Sequence, residues 1–222
     1  MTLLRLFSLS LLCTVLGGAS AVSKYGPLSF SVMAMSADLV VYGEIVELSD
    51  TTFTLAVDEL LAGELTPQVT KSKRLEVMRF RDWACARRWT NYAQGQEVVL
   101  FLKHERGGFR ILSGGGEGEM PLVVVTDKSG RRTRRVLVRS RAQEKLGERD
   151  SHTIHGAKLV AVPIDLDVLV KAVRGLRQCF RFEGPMQALR SEQIADRKAV
   201  DDLASSSKLA SKLVGRARDL LP

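Results

Sequence analysis

Alternation between apolar and polar residues is the main pattern in the first half of the 222-residue chain. A period of two places successive side chains on opposite faces of an extended segment, so each alternating run predicts a half-buried β-strand. Turn-forming residues such as Gly63 and Gly95 separate most of the runs. Short strands at this close spacing are typical of a small antiparallel barrel. The predicted strands occupy residues 39–48, 52–60, 74–80, 97–102 and 109–112.

The pattern after residue 120 predicts a β-hairpin, a connector and one more strand. Residues 121–126 and 135–139 are rich in valine and leucine, and they flank a segment that ends at Gly130. A glycine in this position favours a tight turn between two antiparallel strands. Residues 141–152 are polar and are predicted to form a connector, and residues 158–164 a short strand.

A helical period begins near residue 165. Asp165 can cap a helix that continues through Gln178, because apolar residues recur at helical spacing between them. From Met186 onward the spacing stays helical, but a run of serines interrupts it and apolar positions are sparse. We therefore expect residues 121–182 to pack on the barrel and residues 183–222 to form an exposed helical or disordered tail.

The N-terminus has the features of an export signal. An apolar run at residues 6–16 is shorter than the roughly 20 residues that a membrane-spanning helix needs, which disfavours a membrane anchor. Ala19-Ser20-Ala21 follows, with small residues where a signal peptidase requires them. The sequence predicts that residues 1–21 are removed, and that the mature protein begins at Val22 in the periplasm or outside the cell with no transmembrane segment.

The chain contains three cysteines. Cys13 lies inside the signal, and lipidation there is an alternative that the bulky preceding Leu12 disfavours. Cleavage leaves Cys85 and Cys179, and two distant cysteines in an exported protein most simply form one disulfide. That bridge would close a loop of 94 residues, for which chain entropy gives about 4–5 kcal/mol. Two unpaired buried thiols are the alternative.

Part of the chain resembles a known family. Residues 36–46 are similar to the opening strand of bacterial secreted proteins with a netrin-module or TIMP-like OB-fold. Residues 60–63, a lone cysteine at Cys85 and residues 92–102 resemble further features of the same family. The resemblance covers about residues 30–120 and implies an OB-like barrel.

The resemblance also has a limit at the N-terminus. In eukaryotic metalloproteinase inhibitors of this fold, a cysteine at the mature N-terminus binds the protease zinc, whereas the predicted start here is Val22, with Cys85 the first cysteine after it. The predicted fold class is mainly β: a small antiparallel OB-like barrel over residues 22–120 with an added β-hairpin and C-terminal helices.

Positive charge is concentrated in two segments. The formal net charge of the chain is +8, and residues 71–90 and 128–149 have balances of +5 and +7. Guanidinium groups match phosphate and sulfate geometry, so the second segment predicts a surface for an anionic glycan or lipid. The alternative is a solvated strand whose arginines discourage edge-to-edge pairing. The candidate anion-binding residues are Arg131, Arg132, Arg134, Arg135, Arg139 and Arg141.

The sequence contains no recognisable catalytic or metal-binding constellation. His152 and His155 form an H-x-x-H pattern, which holds a metal when both imidazoles lie on one helix face, but this segment is predicted as connector or strand. The glycine-rich segment 114–118 lacks the lysine of a phosphate-binding loop and is predicted to be a flexible link. We expect no catalytic residues, no metal and no cofactor.

These observations predict an exported non-catalytic binding or interaction module. Its partner would be another protein or an anionic envelope or extracellular polymer. Nucleic acid is not expected, because aromatic residues make up only 6% of the chain and single strands are bound by stacking on aromatic rings. The alternatives are an accessory or inhibitory subunit of an envelope protease, or a hydrolase whose site is not recognisable.

Overall fold

The computed structural model describes residues 28–82, 87–113, 117–126, 129–139, 146–184 and 188–222. Five strands close a barrel in the order β1-β2-β3-β5-β4, and β4 pairs back to β1. They are β1 (Leu39–Leu48), β2 (Thr52–Ala62), β3 (Arg74–Met78), β4 (Glu97–Glu105) and β5 (Gly108–Ile111). All five predicted strands are present, so the mainly β fold class with an OB-like barrel is confirmed.

One strand pair differs from the antiparallel barrel that the sequence predicts. β3 and β5 run parallel, with Val77 opposite Phe109. A tight turn at Gly107 and Gly108, both at positive φ, reverses the chain between β4 and β5, whereas β3 connects to β4 through residues 79–96. The barrel is therefore mixed. Alternation of side chains does not encode the direction of a neighbouring strand, so the sequence pattern could not reveal this pair.

Four further strands extend the sheet from β4 in the order β6-β7-β9-β8. They are β6 (Glu119–Thr126), β7 (Arg132–Val138), β8 (Asp150–Ile154) and β9 (Ala157–Asp165). β6, β7 and β9 confirm the predicted hairpin and strand. β8 was expected to belong to a connector, and that prediction is wrong from residue 150 onward. β7 pairs with β6 over residues 132–136 and with β9 over residues 135–138, so it is an interior strand where the two pairings overlap.

The helices surround one side of the barrel. The helix predicted after Asp165 is present, but the Asp165 side chain makes no capping hydrogen bond. Its carboxylate accepts a hydrogen bond from Nε of Arg135 at 3.0 Å instead. The remaining elements are α1 (Phe30–Ser36), α2 (Pro67–Ser72), α3 (Leu166–Cys179), β10 (Phe180–Glu183), β11 (Arg190–Gln193), α4 (Arg197–Ser206) and α5 (Lys208–Arg218).

The C-terminal helices differ from the exposed tail that the sequence predicts. Val200 of α4 and Leu213 of α5 are fully buried in the same core as α3. The serine run does not interrupt one helix but joins two, because the Ser207 hydroxyl accepts a hydrogen bond from the Ala210 amide at 3.0 Å and caps α5. The few apolar residues of this segment share one helix face, and that face is enough to dock it.

Two apolar cores lie on opposite sides of the barrel wall. The first lies between the outside of the barrel and helices α1, α3 and α5, and contains Val40, Phe101 and Leu169. The second fills the barrel with residues such as Leu55 and Leu100, and continues along one face of the added sheet. Strands β1 and β4 contribute to both cores because their alternate side chains point to opposite faces.

Four loop segments meet at one end of the barrel. Glu44 of β1 pairs with Glu97, the first residue of β4. The turn at residues 49–51, which follows β1, therefore lies at the end of the barrel where β4 begins. β3 ends beside the same turn, where the Arg79 amide donates to the Thr51 carbonyl. β6 is antiparallel to β4 and extends beyond its start, which carries the β6–β7 turn to this end. We name it the loop end; it comprises residues 49–51, 79–82, 87–96 and the start of β7.

Candidate functional site

The predicted anion-binding arginines divide between the two faces of β7. Side chains alternate along a strand, so Arg132 and Arg134 lie on the same face as buried Val136. Arg135 lies on the other face with buried Leu137. Arg135 therefore does not share a surface with Arg132 and Arg134, although the sequence predicts one surface for the group.

Arg134 reaches from the added sheet to the barrel. Its guanidinium donates to the Tyr42 hydroxyl and lies 3.8 Å from the Glu97 carboxylate. Burial, followed by the Glu97 carboxylate, raises the pKa of Tyr42, so the hydroxyl keeps its proton at neutral pH. The Arg134 side chain is still 54% exposed, which leaves part of its guanidinium accessible to a ligand.

The other candidate arginines are not equally accessible. Arg135 is held by Asp165, Arg139 is half-buried and Arg141 lies outside the described residues. Arg131 is exposed and directly precedes β7. Among the described candidates, the exposed ones are Arg131, Arg132 and Arg134, and we name these three residues the hairpin surface.

A buried ion pair that the sequence pattern does not indicate lies at the loop end. The side chains of Arg88 and Glu119 are 3% and 0% exposed. Nε of Arg88 donates to the two Glu119 carboxylate oxygens at 3.0 and 2.8 Å. Its Nη2 donates to the Gln96 side-chain oxygen at 2.8 Å, and its Nη1 to the Thr90 carbonyl at 2.6 Å. Both charges are neutralised and hydrogen-bonded, as burial requires, so this pair fixes the loop to β6.

Tyr92 has two guanidinium groups over its ring. The Cζ atoms of Arg88 and Arg79 lie 3.7 and 5.0 Å from its ring centre, and the Phe80 amide donates to its hydroxyl at 2.9 Å. Burial, followed by the Glu119 carboxylate, raises the pKa of Tyr92 above its ordinary value of 10.0, although both guanidinium groups act in the opposite direction. Tyr92 therefore remains neutral and anchors the loop as an aromatic residue.

A polar cleft of about 270 Å³ opens beside Tyr92. Nη1 of Arg79 donates to the Ser49 carbonyl at 2.6 Å. Within the described part of the chain, neither Arg79 nor Arg81 forms an ion pair with a carboxylate. We name this feature the barrel-end cleft; it is lined by Asp50, Arg79, Phe80, Arg81, Asp82, Arg88, Thr90, Asn91 and Tyr92.

The two histidines of the H-x-x-H pattern are placed by a strand and the turn after it. His152 lies in β8 and His155 in the following turn, so the H-x-x-H pattern does not lie on a helix. Ser151 and His152 are neighbours in a strand, and their side chains point to opposite faces. No group of three His, Cys, Asp or Glu side chains among the described residues could hold a metal ion.

The predicted disulfide stays a prediction. Cys179 is buried, and burial raises the pKa of its thiol. Cys85 lies outside the described residues, as do the predicted signal and glycines 114–116. Among the helices of the described residues, none is long and apolar enough to cross a membrane.

Comparison with known proteins identifies no family. No family model and no curated protein matches the chain. The protein is a five-strand mixed barrel with added strands and C-terminal helices.

Proposed function

We propose that this protein is an exported, non-catalytic binding module that contacts an anionic envelope or extracellular polymer through the hairpin surface. The observation that carries the proposal is the position of Arg132 and Arg134, which lie on one face of β7 at the loop end. Arg131, which directly precedes β7, is also exposed.

The electrostatics favour an anionic partner. The chain has a formal net charge of +8, which increases the rate of encounter with polyanions. A planar guanidinium binds phosphate, sulfate or carboxylate through paired hydrogen bonds. Arg134 is also oriented in advance by Tyr42 and Glu97, which reduces the entropy lost when a ligand binds.

The barrel surface favours an acidic glycan over single-stranded nucleic acid. The outward residues of β2 and β3 include Thr52, Thr54, Arg74 and Glu76, and within these two strands the outer face has no aromatic side chain. Arg74 is also paired with Glu47. Single-strand binding depends on aromatic rings that stack on bases over a basic groove, and this face provides neither.

Export and family membership are part of the same proposal. The signal at residues 1–21 supports export, and the five-strand barrel supports a relationship with secreted netrin-module or TIMP-like proteins. N-terminal sequencing of the exported protein should begin at Val22. An intact Met1 or a lipid on Cys13 would contradict this part of the proposal.

The test compares charge removal at the hairpin surface with charge removal elsewhere. Heparin is the probe, and affinity is measured from 50 to 300 mM NaCl for the parent, R132S/R134S and R190S/R197S. Arg190 and Arg197 are exposed and lie on β11 and α4. The hairpin double variant should bind at least about tenfold more weakly at low salt. Its slope of log affinity against log salt should also fall, by about one for each lost contact.

The control variant should retain most of the affinity, since it removes the same charge from a different surface. R135S should also bind like the parent, because Arg135 faces Asp165 on the opposite side of β7. If R132S/R134S binds heparin as tightly as the parent does, the hairpin surface has no role in binding and the proposal is wrong.

A further inference from the structure

The barrel-end cleft and the hairpin surface lie at the same end of the molecule, although about fifty residues separate them in sequence. β3 ends beside the turn at residues 49–51, and the β6–β7 hairpin extends beyond the start of β4 at that end. The buried pair of Arg88 and Glu119 joins the loop of the cleft to β6. One extended ligand could therefore contact both features.

Arg79 is positioned before any ligand arrives. One of its N–H groups is used by the Ser49 carbonyl, and its guanidinium lies over the Tyr92 ring. A guanidinium has five N–H donors, so Arg79 retains donors for a ligand while its side chain is already ordered. Arg81 lines the same cleft, is exposed and forms no ion pair within the described residues.

The lining of the cleft carries acids as well as bases. Asp50 and Asp82 balance Arg79 and Arg81, while the charge of Arg88 is neutralised by Glu119. Such a lining does not favour a bare anion, which the two carboxylates would repel. It favours a ligand that has both an anionic group for the guanidinium groups and hydroxyl donors for the carboxylates.

The size of the cleft agrees with a small unit of a larger ligand. Its volume of about 270 Å³ is slightly below the roughly 300–1,000 Å³ of pockets for drug-sized ligands. Thr90 and Asn91 add further hydrogen-bonding groups to the lining. A sugar unit with one carboxylate or sulfate and several hydroxyl groups has the matching chemistry.

We propose that the barrel-end cleft binds one acidic sugar unit of the polymer that the hairpin surface contacts, so that the ligand is an acidic polysaccharide lying across the loop end. This inference rests on the proposed function and adds the class of the polymer and a second site for it. Arg79 and Arg81 bind the anionic group, and Asp50 and Asp82 accept hydrogen bonds from the sugar hydroxyls.

The experiment measures binding of a heparin tetrasaccharide and of long heparin to the full mature protein by calorimetry. The central variant is R81Q, and its matched control is R87Q. Arg87 is exposed, forms no ion pair within the described residues and belongs to the same loop segment, but it does not line the cleft. R81Q should weaken tetrasaccharide binding about tenfold, the effect of losing one charge-assisted hydrogen bond. R87Q should change it less than about twofold.

Asp50 provides the sharper test, because a sugar-binding cleft and a general basic surface predict opposite changes in tetrasaccharide affinity when its charge is removed. If the Asp50 carboxylate accepts a charge-assisted hydrogen bond from a sugar hydroxyl, D50N replaces it with a weaker bond to a neutral amide oxygen and weakens tetrasaccharide binding. If the cleft is only part of a general basic surface, D50N removes a repulsive charge and strengthens binding. Inorganic sulfate, which has no hydroxyl donors to offer, should not displace the tetrasaccharide at millimolar concentration. Stronger binding by D50N, or equal losses in R81Q and R87Q, would overturn the inference.

The two proposals fail in different ways. If R81Q, R87Q and D50N all bind like the parent while R132S/R134S loses affinity for long heparin, the cleft proposal is wrong and the hairpin surface stands. If R132S/R134S also binds like the parent, both proposals are wrong. Neutral dextran of the same length should not bind to any variant.

Discussion

Arg88 shows how a single charged residue can hold a loop in place. It lies in a segment with a net charge of +5, and nothing in the sequence pattern distinguishes it from the other basic residues there. In the structure it is buried against Glu119 and Gln96 and stacks on Tyr92. A buried guanidinium in this position is stable only while its carboxylate partner and the remaining acceptors are present.

Removing one partner of this pair should therefore strongly destabilise the protein. R88A should lower the free energy of unfolding by about 3–5 kcal/mol, because it leaves the buried Glu119 carboxylate without its partner. The matched control is R110A, which removes an exposed pair with Glu105 and should cost at most about 1 kcal/mol. Urea denaturation measures both. If R88A and R110A lower the free energy of unfolding by equally small amounts, the buried pair of Arg88 and Glu119 does not stabilise the fold.

Tyr92 should make the protein sensitive to alkaline pH. Its pKa in the folded protein lies above the ordinary value of 10.0, so the unfolded chain loses this proton first as the pH rises. The stabilisation is fully present below pH 10 and is lost as the pH rises towards the pKa of the folded protein. Y92F should reduce the slope of stability against pH above 10, at a cost of about 1 kcal/mol at pH 7 for the lost hydrogen bond from Phe80. If the slope of stability against pH above 10 is the same in Y92F and the parent, Tyr92 is not the source of the sensitivity to alkaline pH.

At the scale of elements, α5 shows how few apolar residues are needed to dock a helix. Leu209 and Leu213 are four positions apart, and Val214 and Ala217 complete one buried face. The Ser191 hydroxyl on β11 donates to the Ala217 carbonyl at 2.5 Å, which adds a polar contact near the end of the helix. Average hydrophobicity is low in this segment, so only the spacing of the apolar residues indicates the docked face.

A substitution in α5 distinguishes a docked helix from a solvated one. L213A should lower the free energy of unfolding by about 2–5 kcal/mol, because it leaves a cavity in the core shared with α3. L221A is the matched control, since Leu221 is 37% exposed and its truncation should cost about 0.5 kcal/mol or less. Thermal and urea unfolding should agree. Equal stability of L213A and L221A would indicate that α5 does not pack on α3.

At the scale of the whole molecule, the predicted disulfide would connect the central loop to the end of α3. Cys179 lies at the last position of α3, which packs on the barrel wall. Peptide mapping of the exported protein without reduction should recover Cys85 linked to Cys179. Reduction should lower stability by about 4–5 kcal/mol, less any strain in the folded state. Recovery of both thiols in alkylated form from the unreduced protein would contradict the prediction.

The sequence by itself determined the five barrel strands, the β6–β7 hairpin and α3. These elements have strong periodic patterns, and periodicity follows directly from which side of a strand or helix is buried. It also indicated where positive charge is concentrated. It did not indicate β8, which is short and polar, or the docking of α5, because both depend on a surface that other parts of the chain provide.

Only the tertiary structure decided how the charged residues are used. Arg88 became a buried structural residue because β6 brings Glu119 to it from 31 positions away. Arg132 and Arg135 lie on opposite faces of one strand. The order of the strands places Arg79 and Arg81 at the same end of the barrel as the hairpin surface. Charge counts add along the chain, whereas burial, pairing and shared faces depend on contacts between distant segments. That is why the sequence predicted the barrel but not the arrangement of its arginines.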